Sequence, residues 1–142
     1  MQQTQTGKSL KIGRVAAISG LPIKTIRYYE EIGLLSPIVE RSAAGYRLFG
    51  ESVFNRLAFI KRAQSLGFSL NEIGEILQIR DRGELPCQEV KHHLELKLLK
   101  INEQIQALKT LKAELKEILF AWQDEPSPGS IAKTICPNIQ TD

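Results

Sequence analysis

The chain has 142 residues, which is enough for one globular core, or for a small core and a long helix, but hardly for two full domains. Residues 1–8 lack the apolar stretch of a signal peptide and no later run is long enough to cross a bilayer, so we expect a cytoplasmic protein without a membrane partner. In a reducing compartment, its two cysteines suit metal or redox chemistry better than a structural disulfide.

The net charge of +3 is distributed unevenly along the chain. Residues 1–63 hold ten Lys and Arg against four Glu, about +6, which leaves nine basic against twelve acidic residues, about −3, for the remainder. Such a sign asymmetry is expected when one half binds a polyanion, so the first half is predicted to bind nucleic acid. On charge alone, a solvated basic surface is the alternative.

The first predicted elements are two short helices around a turn. Apolar residues follow helical spacing in Ile12–Ser19, the sequence Ser-Gly-Leu-Pro interrupts them, and a second helix begins near Ile23. A helix-turn-helix has this layout, with its second helix in the major groove of DNA, although ordinary helical hairpins share it. Tyr29 belongs to the apolar stripe of the second helix and is predicted to pack inward. The residues predicted to face outward are Lys24, Thr25, Arg27 and Tyr28.

Residues 34–50, "LLSPIVERSAAGYRLFG", predict a small two-stranded hairpin. Turn residues flank short stretches rich in β-branched, aromatic and aliphatic residues, and such a hairpin beside a helix-turn-helix is a wing. Cations and a phenol hydroxyl lie on both sides of the turn, where a wing contacts phosphates and thereby positions the protein. These wing residues are Arg41, Tyr46 and Arg47.

A second helical pair is predicted after the wing. From Glu51 onward apolar residues recur at helical spacing, and "SLGFSLNEIGEIL" then reads as a turn and another helix. Ser69 followed by Glu72 is a capping-box pattern, which indicates where that helix starts.

Three runs, "IGRVAAISGLPIKTIRYYEEIGLL", "RSAAGYRLF" and "FIKRAQSLGFSLNEIGEIL", together resemble the DNA-binding half of the MerR family of transcription regulators. The resemblance covers roughly Leu10 to Leu77. It implies a recognition helix, a wing that grips the DNA backbone, and a further phosphate-facing helix. The residues it assigns to these three surfaces are Arg27 and Tyr28, Tyr46 and Arg47, and Lys61 and Arg62, respectively.

The second half carries a seam with strictly alternating spacings of four and three, and nine of its eleven positions are apolar or thiol. A seam over about five heptads favours a coiled coil. At 1.5 Å per residue the helix reaches roughly 54 Å, too long for the first half to cover, so we expect a homodimer through this helix. A single helix packed on its own domain is the alternative. The seam residues are Cys87, Lys91, Leu94, Leu98, Ile101, Ile105, Leu108, Lys112, Leu115, Leu119 and Trp122.

The seam by itself leaves the direction of pairing open. In the family that the chain resembles, the dimerisation helices are antiparallel, and metal-sensing members bind their ion in the following loop with help from the partner's helix start. "PCQEV" and "TICPNI" are similar to those ligand segments, so the resemblance implies that Cys87 and Cys136 bind metal. Thiolates select soft or borderline ions. A cysteine at the helix start accompanies divalent sensing in the family, which favours Hg(II) or Zn(II), with Pb(II) and Cd(II) as alternatives.

The loop departs from the family pattern. Divalent sensors generally carry another cysteine at the loop start, and "LFAWQDEPSPGS" has none. Two thiolates alone suit linear Hg(II), whereas Zn(II) prefers four ligands. The candidates for additional ligands are His92 and Asp124, followed by Glu125 and His93. His93 is less suited than His92 to share the face of Cys87.

These features predict a mainly α fold with four parts. A flexible N-terminal tail, 1–9, precedes a winged helix-turn-helix DNA-binding domain, 10–82. A long antiparallel coiled-coil dimerisation helix, 83–122, leads to a short effector-binding loop and tail, 123–142.

The predicted function is that of a metal-responsive transcriptional regulator. We expect the homodimer to bind a palindromic operator in double-stranded promoter DNA and, with RNA polymerase at the promoter, to activate transcription by distorting the DNA when metal binds. The nearest alternative is a thiol redox sensor that uses Cys87 and Cys136, and a DNA-bending protein without an effector is another. No motif groups a nucleophile, a base and an orienting residue, so no enzymatic activity is expected.

Overall fold

A computed structural model of the protein describes residues 10–140, so the predicted tail at 1–9 lies outside the described residues. Its contacts form two compact units, Met1–His93 and Leu94–Asp142. The predicted mainly α fold, with a winged helix-turn-helix and a long helix, is confirmed, while the predicted domain limits stay a prediction. In the described part, no helix has the length and apolar character that crossing a membrane requires.

The elements follow one another in the predicted order. The helices are α1 (Ile12–Ser19), α2 (Ile23–Glu31), α3 (Val53–Ser65), α4 (Leu70–Asp81) and α5 (Cys87–Phe120), with short 3-10 helices at Ser36–Ile38 and Pro128–Ala132. The strands are β1 (Leu10–Lys11), β2 (Val39–Arg41) and β3 (Arg47–Phe49).

The turn between α1 and α2 depends on two residues with restricted or special backbone preferences. Gly20 ends α1 in the left-handed conformation, with φ 77°, and donates its N–H to the Ala16 carbonyl at 2.9 Å. A glycine adopts this conformation without the steric penalty of a Cβ. Pro22 then precedes α2 with extended backbone, φ −62° and ψ 145°, which suits a helix start because proline's fixed φ restricts the chain before the first turn. This tight turn joins the two helices of the helix-turn-helix.

The wing is an antiparallel pair of β2 and β3, with Val39 opposite Phe49 and Arg41 opposite Arg47. Its turn is closed because the Ser42 N–H donates to the Tyr46 carbonyl at 2.8 Å. β1 pairs with the other edge of β3 and makes a three-stranded sheet of order β1-β3-β2. This extra strand was not predicted, because two residues are too few to show an alternating pattern.

The core of the first unit lies where α1, α2 and the wing meet α3 and α4. The side chains of this core come from every one of those elements, and fully burying each aliphatic or aromatic one stabilises the fold by about 1.5–3 kcal/mol. The fully buried side chains are Val15, Ile26, Leu35, Phe49, Val53, Leu57, Ile60, Ile73 and Ile76.

Two sets of side-chain hydrogen bonds hold α3 and α4 in place. Ser69 and Glu72 form the predicted capping box, with the Glu72 N–H donating to Ser69 Oγ at 3.1 Å and the Ser69 N–H donating to Glu72 Oε1 at 2.9 Å. Arg56, whose side chain is largely buried, donates to both carboxylate oxygens of Asp81 at 2.6 and 3.0 Å and, through Nε, to the Leu34 carbonyl. One guanidinium therefore holds α3, the end of α4 and the turn after α2 together.

The second unit consists of most of α5 and the segment after it. The helix that was predicted from the heptad seam is present, as α5 extends without interruption over 34 residues. The exposure of its seam leucines ranges from 41% for Leu94 to 68% for Leu119. An isolated helix is not stabilised by exposed leucines, so this face requires a covering surface.

Candidate nucleic-acid interface and effector site

Of the two adjacent tyrosines of α2, Tyr29 faces the core and Tyr28 faces outward, as predicted. Tyr29 is 6% exposed and belongs to the core, whereas Tyr28 is 49% exposed. Lys24 and Arg27 are exposed beside Tyr28, and Thr25 is half-buried. The outer face of α2 therefore presents two cations and a phenol, groups that can contact phosphates and base edges.

Tyr29 also anchors α2 to α3. Its hydroxyl donates a hydrogen bond of 2.6 Å to Gln64 Oε1, 35 positions further along the chain. Burial raises the pKa of Tyr29 above its ordinary value of 10.0, because the phenolate is poorly solvated there. The phenol therefore stays protonated at neutral pH and keeps its donor for Gln64.

The wing presents Arg41 and Tyr46 at the surface. Arg41 donates to the Gly45 carbonyl at 2.9 Å, which orients its guanidinium over the wing turn. The ammonium of Lys11 lies 4.3 Å from the centre of the Tyr46 ring, a cation–π contact that joins β1 to the wing. Sequence reasoning missed this role of Lys11, since only the pairing of β1 with β3 brings the two residues together.

Arg47 contacts the protein itself. Its Nε donates to the Glu30 carboxylate of α2, a second carboxylate, that of Glu31, lies 4.0 Å away, and the Arg47 side chain is 19% exposed. The guanidinium therefore ties the wing to the helix predicted to enter the major groove. Phosphate contact by Arg47 stays a prediction, and it requires a donor that Glu30 does not occupy.

Lys61 and Arg62 lie on α3 with exposed side chains. Arg62 makes a long contact of 3.4 Å to Ser65 Oγ, and that hydroxyl donates to the Arg62 carbonyl at 2.6 Å. Both cations thus remain accessible to phosphates, as the predicted role on this helix requires.

The two sulfurs lie in different units. Cys87 is the exposed first residue of α5 in the first unit, and Cys136 is half-buried near the end of the second. Between residues 10 and 140, no cluster of three or more His, Cys, Asp or Glu side chains is placed to hold a metal ion. Within these described residues, no single chain therefore groups the four ligands of a closed Zn(II) site.

The other predicted ligands differ in their surroundings. His92 and Asp124 are exposed, and so is Glu125. His93 instead packs into the first unit, with Nδ1 3.3 Å from Glu72 Oε2 and its ring centre 5.6 Å from that of Phe68. The prediction that His93 is less suited than His92 to share a face with Cys87 agrees with this position.

The backbone around Cys136 is held by two side-chain amides. The Gln123 N–H donates to Asn138 Oδ1 at 2.8 Å and Asn138 Nδ2 donates to the Gln123 carbonyl at 2.9 Å, which closes the loop after α5. Gln140 Oε1 accepts from the N–H groups of Ile135 and Cys136 at 2.6 and 3.0 Å. Sequence reasoning missed both amides, because single polar residues in a loop carry no periodic signal.

Comparisons with known proteins find two matching family profiles and a similar regulator. Residues 10–79 match the profile "MerR HTH family regulatory protein" and residues 54–118 match "MerR, DNA binding". The mercuric resistance operon regulatory protein of Bacillus cereus is 38% identical over 131 residues, which cover 92% of this chain and 95% of the relative.

Two solved structures are also similar. One is the transcription regulator PbrR691 from Ralstonia metallidurans CH34 in complex with lead(II), at 31% identity and a TM-score of 0.69, covering 83% of this chain and 91% of that one. The other is the dual-function regulator from Bacillus megaterium MB1 in complex with mercury(II), at 36% identity and a TM-score of 0.56, covering 83% and 90%.

Proposed function

Because this chain belongs to the MerR family, whose members are DNA-binding transcription regulators, we propose that it is a metal-responsive regulator that acts on promoter DNA in the cytoplasm. The observation that carries the proposal is one combination within a single chain. The exposed face of α2 belongs to a helix-turn-helix, a thiol begins the long helix α5, and the chain is 38% identical to a mercuric regulator over 92% of its length.

The DNA-binding part of the proposal rests on the cations of three elements. Lys24, Thr25, Arg27 and Tyr28 of α2 enter the major groove, and the exposed residues of the wing and α3 contact phosphates on either side. Log affinity falls as log salt rises, and each phosphate contact that is lost should reduce the steepness of this fall by about 1. We therefore expect Lys61→Gln and Arg62→Gln each to make the salt dependence less steep, whereas Lys100→Gln on α5 leaves it unchanged.

A homodimer supplies the second recognition helix. The half-exposed leucines of α5 recur at heptad spacing, which suits burial against a second copy of the same helix. An antiparallel pair brings the start of α5 of one protomer near the tail of the other and presents two copies of α2 to a palindromic operator. A sedimentation measurement that finds a monomer at micromolar concentration would contradict this part.

The effector is a thiophilic metal ion, Hg(II) or another divalent ion such as Zn(II), Pb(II) or Cd(II). Cys87 of one protomer and Cys136 of its partner are the proposed ligands, with His92 and Asp124 as additional ones where an ion needs more than two. The titles of the two similar structures name lead(II) and mercury(II) complexes of those proteins, which supports an ion of this class. When bound, the ion would be held by Cys87 of one protomer and Cys136 of its partner and would thereby link the helix start to the loop.

Activation follows from a difference between two protein conformations. Bending and untwisting a promoter costs a few kcal/mol, which additional contacts can offset, and an effector shifts the balance only by its differential affinity for the two states. The apo dimer is therefore expected to bind the same DNA without distorting it. RNA polymerase then activates transcription only from the distorted promoter.

The test compares Cys87→Ser and Cys136→Ser with the wild type in transcription assays, after titrating the reduced proteins with Hg(II), Zn(II), Pb(II) and Cu(I) in competition. Each substitution should abolish the metal response and leave apo DNA binding intact. His92→Gln and Asp124→Asn should weaken only the binding of ions that need more than two ligands. Metal-dependent transcription that survives both serine substitutions would exclude sensing through these thiols.

Thiol redox sensing is the second candidate, favoured by the two free cysteines and by the exposure of Cys87. It predicts that peroxide, in the presence of a chelator, changes transcription as strongly as metal does. A response to Hg(II) under fully reducing conditions, together with no response to peroxide, would exclude it.

A further inference from the structure

One imidazole joins the start of α5 to the turn between α3 and α4. His93 Nδ1 lies 3.3 Å from Glu72 Oε2 of α4, and Nε2 lies 3.4 Å from Glu89 Oε2 in the first turn of α5. The His93 side chain is only 12% exposed, and its ring packs against buried Phe68. Val90, beside Glu89, packs on the core of the first unit. His93 and Val90 thus dock the first two turns of α5 on the first unit.

The carboxylate of Glu72 has a second role, at the start of α4. Its Oε1 accepts the Ser69 N–H at 2.9 Å in the capping box, while Oε2 faces His93. A displacement of the imidazole therefore acts directly on Glu72, whose carboxylate caps the start of α4. Through Phe68 it also reaches the turn that follows the exposed cations of α3.

The other side of the imidazole is incompletely satisfied. Although Nε2 lies within 3.4 Å of the Glu89 carboxylate, it is buried and makes no hydrogen bond within the described part of the chain. A buried nitrogen without a hydrogen bond is unfavourable. A small rotation of the first turn of α5 that aligns Glu89 with Nε2 would remove this penalty, so a second arrangement of this contact would be favourable.

We propose that His93 is a positioning residue that couples ligand binding at Cys87 to the conformation of the DNA-binding half. This inference rests on the proposed function, because it takes Cys87 as an effector ligand. Cys87 opens the helical turn that carries Glu89, so a ligand that reorients this turn changes the Glu89–His93 contact and, through Glu72, the start of α4. By linkage, DNA binding must in turn change the affinity for the effector by the same factor.

Together, the contacts His93–Glu72 and His93–Glu89 are called the joint. Two substitutions of His93 test its two contacts separately. In His93→Asn the side-chain amide can replace Nδ1 toward Glu72, and in His93→Gln it can replace Nε2 toward Glu89, so each variant retains one contact. Each should lower the ratio of metal-bound to apo DNA distortion by about tenfold, within the range of allosteric couplings in proteins. Apo DNA affinity and the metal affinity of the free protein should change less than twofold. The matched control is Arg82→Gln, which removes an exposed ion pair of 3.8 Å to Glu84 in the segment between α4 and α5.

The experiment uses the reduced full-length protein and DNA selected by the apo form from a random library. DNA untwisting is followed by the fluorescence of 2-aminopurine during titration with Hg(II) and, separately, Pb(II). Amide exchange of the first turn of α5 and of Glu72 is measured without metal and without DNA. Both His93 variants should speed exchange in these two places, and Arg82→Gln should not.

The outcomes distinguish the joint from the sensor. Loss of the metal response in both His93 variants, with metal affinity retained, supports the inference. Normal metal-dependent untwisting in either variant, or unchanged exchange in both, overturns it. If the wild type itself shows no metal response, the proposed function fails, and faster exchange in the His93 variants then assigns the joint to stability alone, which also overturns coupling.

Discussion

Substituting the two adjacent tyrosines of α2 separates folding from DNA recognition. Tyr29 is buried, so Tyr29→Ala removes a packed ring and leaves a cavity, which costs about 3–5 kcal/mol of unfolding free energy. Tyr29→Phe removes only the hydroxyl that donates to Gln64, at about 0.5–1.5 kcal/mol. Tyr28 is half exposed and its ring centre lies 6.4 Å from that of Tyr29, so Tyr28→Ala should cost less than about 1 kcal/mol.

The effects on DNA binding should have the opposite order. Tyr28 belongs to the exposed face of α2, and we expect Tyr28→Ala to weaken operator binding on the order of tenfold, as is usual for a residue that contacts DNA. Tyr29→Phe keeps the ring and the helix in place, so its DNA affinity should stay within about twofold of the wild type.

Urea unfolding followed by circular dichroism measures the first effect, and fluorescence anisotropy with labelled operator DNA measures the second. Protein concentration is held equal in all unfolding experiments, because association would raise apparent stability. Tyr29→Ala has a matched partner in Tyr28→Ala, which changes the same side chain one position away.

Two results would refute the reasoning. If Tyr28→Ala destabilised the protein as much as Tyr29→Ala, the inward and outward assignment of the rings would be incorrect. If Tyr28→Ala left DNA affinity unchanged while Tyr29→Phe lowered it at full stability, the outer face of α2 would not be the recognition surface.

Three further predictions concern single contacts. Burial raises the pKa of Tyr29 in the folded state, so its contribution to stability is complete below the ordinary value of 10.0 and is lost as pH rises from there through the raised pKa. Tyr29→Phe should therefore flatten the fall in urea midpoint as the pH rises above 10.0. Arg56→Met leaves the partly exposed Asp81 without its partner and should lower the unfolding free energy by about 2 kcal/mol in urea titrations, so a loss below about 0.5 kcal/mol would contradict the clamp. Asn138→Asp places a carboxylate oxygen against the Gln123 carbonyl. Amide exchange at Gln123 should therefore accelerate, and the affinity for Hg(II) should fall by about tenfold. An unchanged exchange rate would show that the Asn138 amide does not close the loop.

Features that depend on local periodicity could be predicted from the sequence. The heptad spacing of leucines predicted α5, Ser69 and Glu72 predicted the start of α4, and the helical stripe of α2 separated Tyr28 from Tyr29. Each is decided within one or two turns of a helix, where the spacing of side chains fixes which face they share.

Several contacts around the candidate sites could not be predicted in this way. Arg47 and Glu30 are 17 positions apart and Arg56 and Asp81 are 25 apart, so each pair meets only once helices and wing have packed. The same is true of His93, whose helical position alone gave no sign of its burial against Phe68.

The sequence by itself therefore determined the order of elements, the outward cations of α2 and the seam of α5, because neighbouring residues specify them. Tertiary structure alone decided which charged side chains remain available to DNA or metal. A guanidinium or imidazole has the same local signature whether it is solvated or paired, and only the residues that the fold brings against it distinguish the two cases.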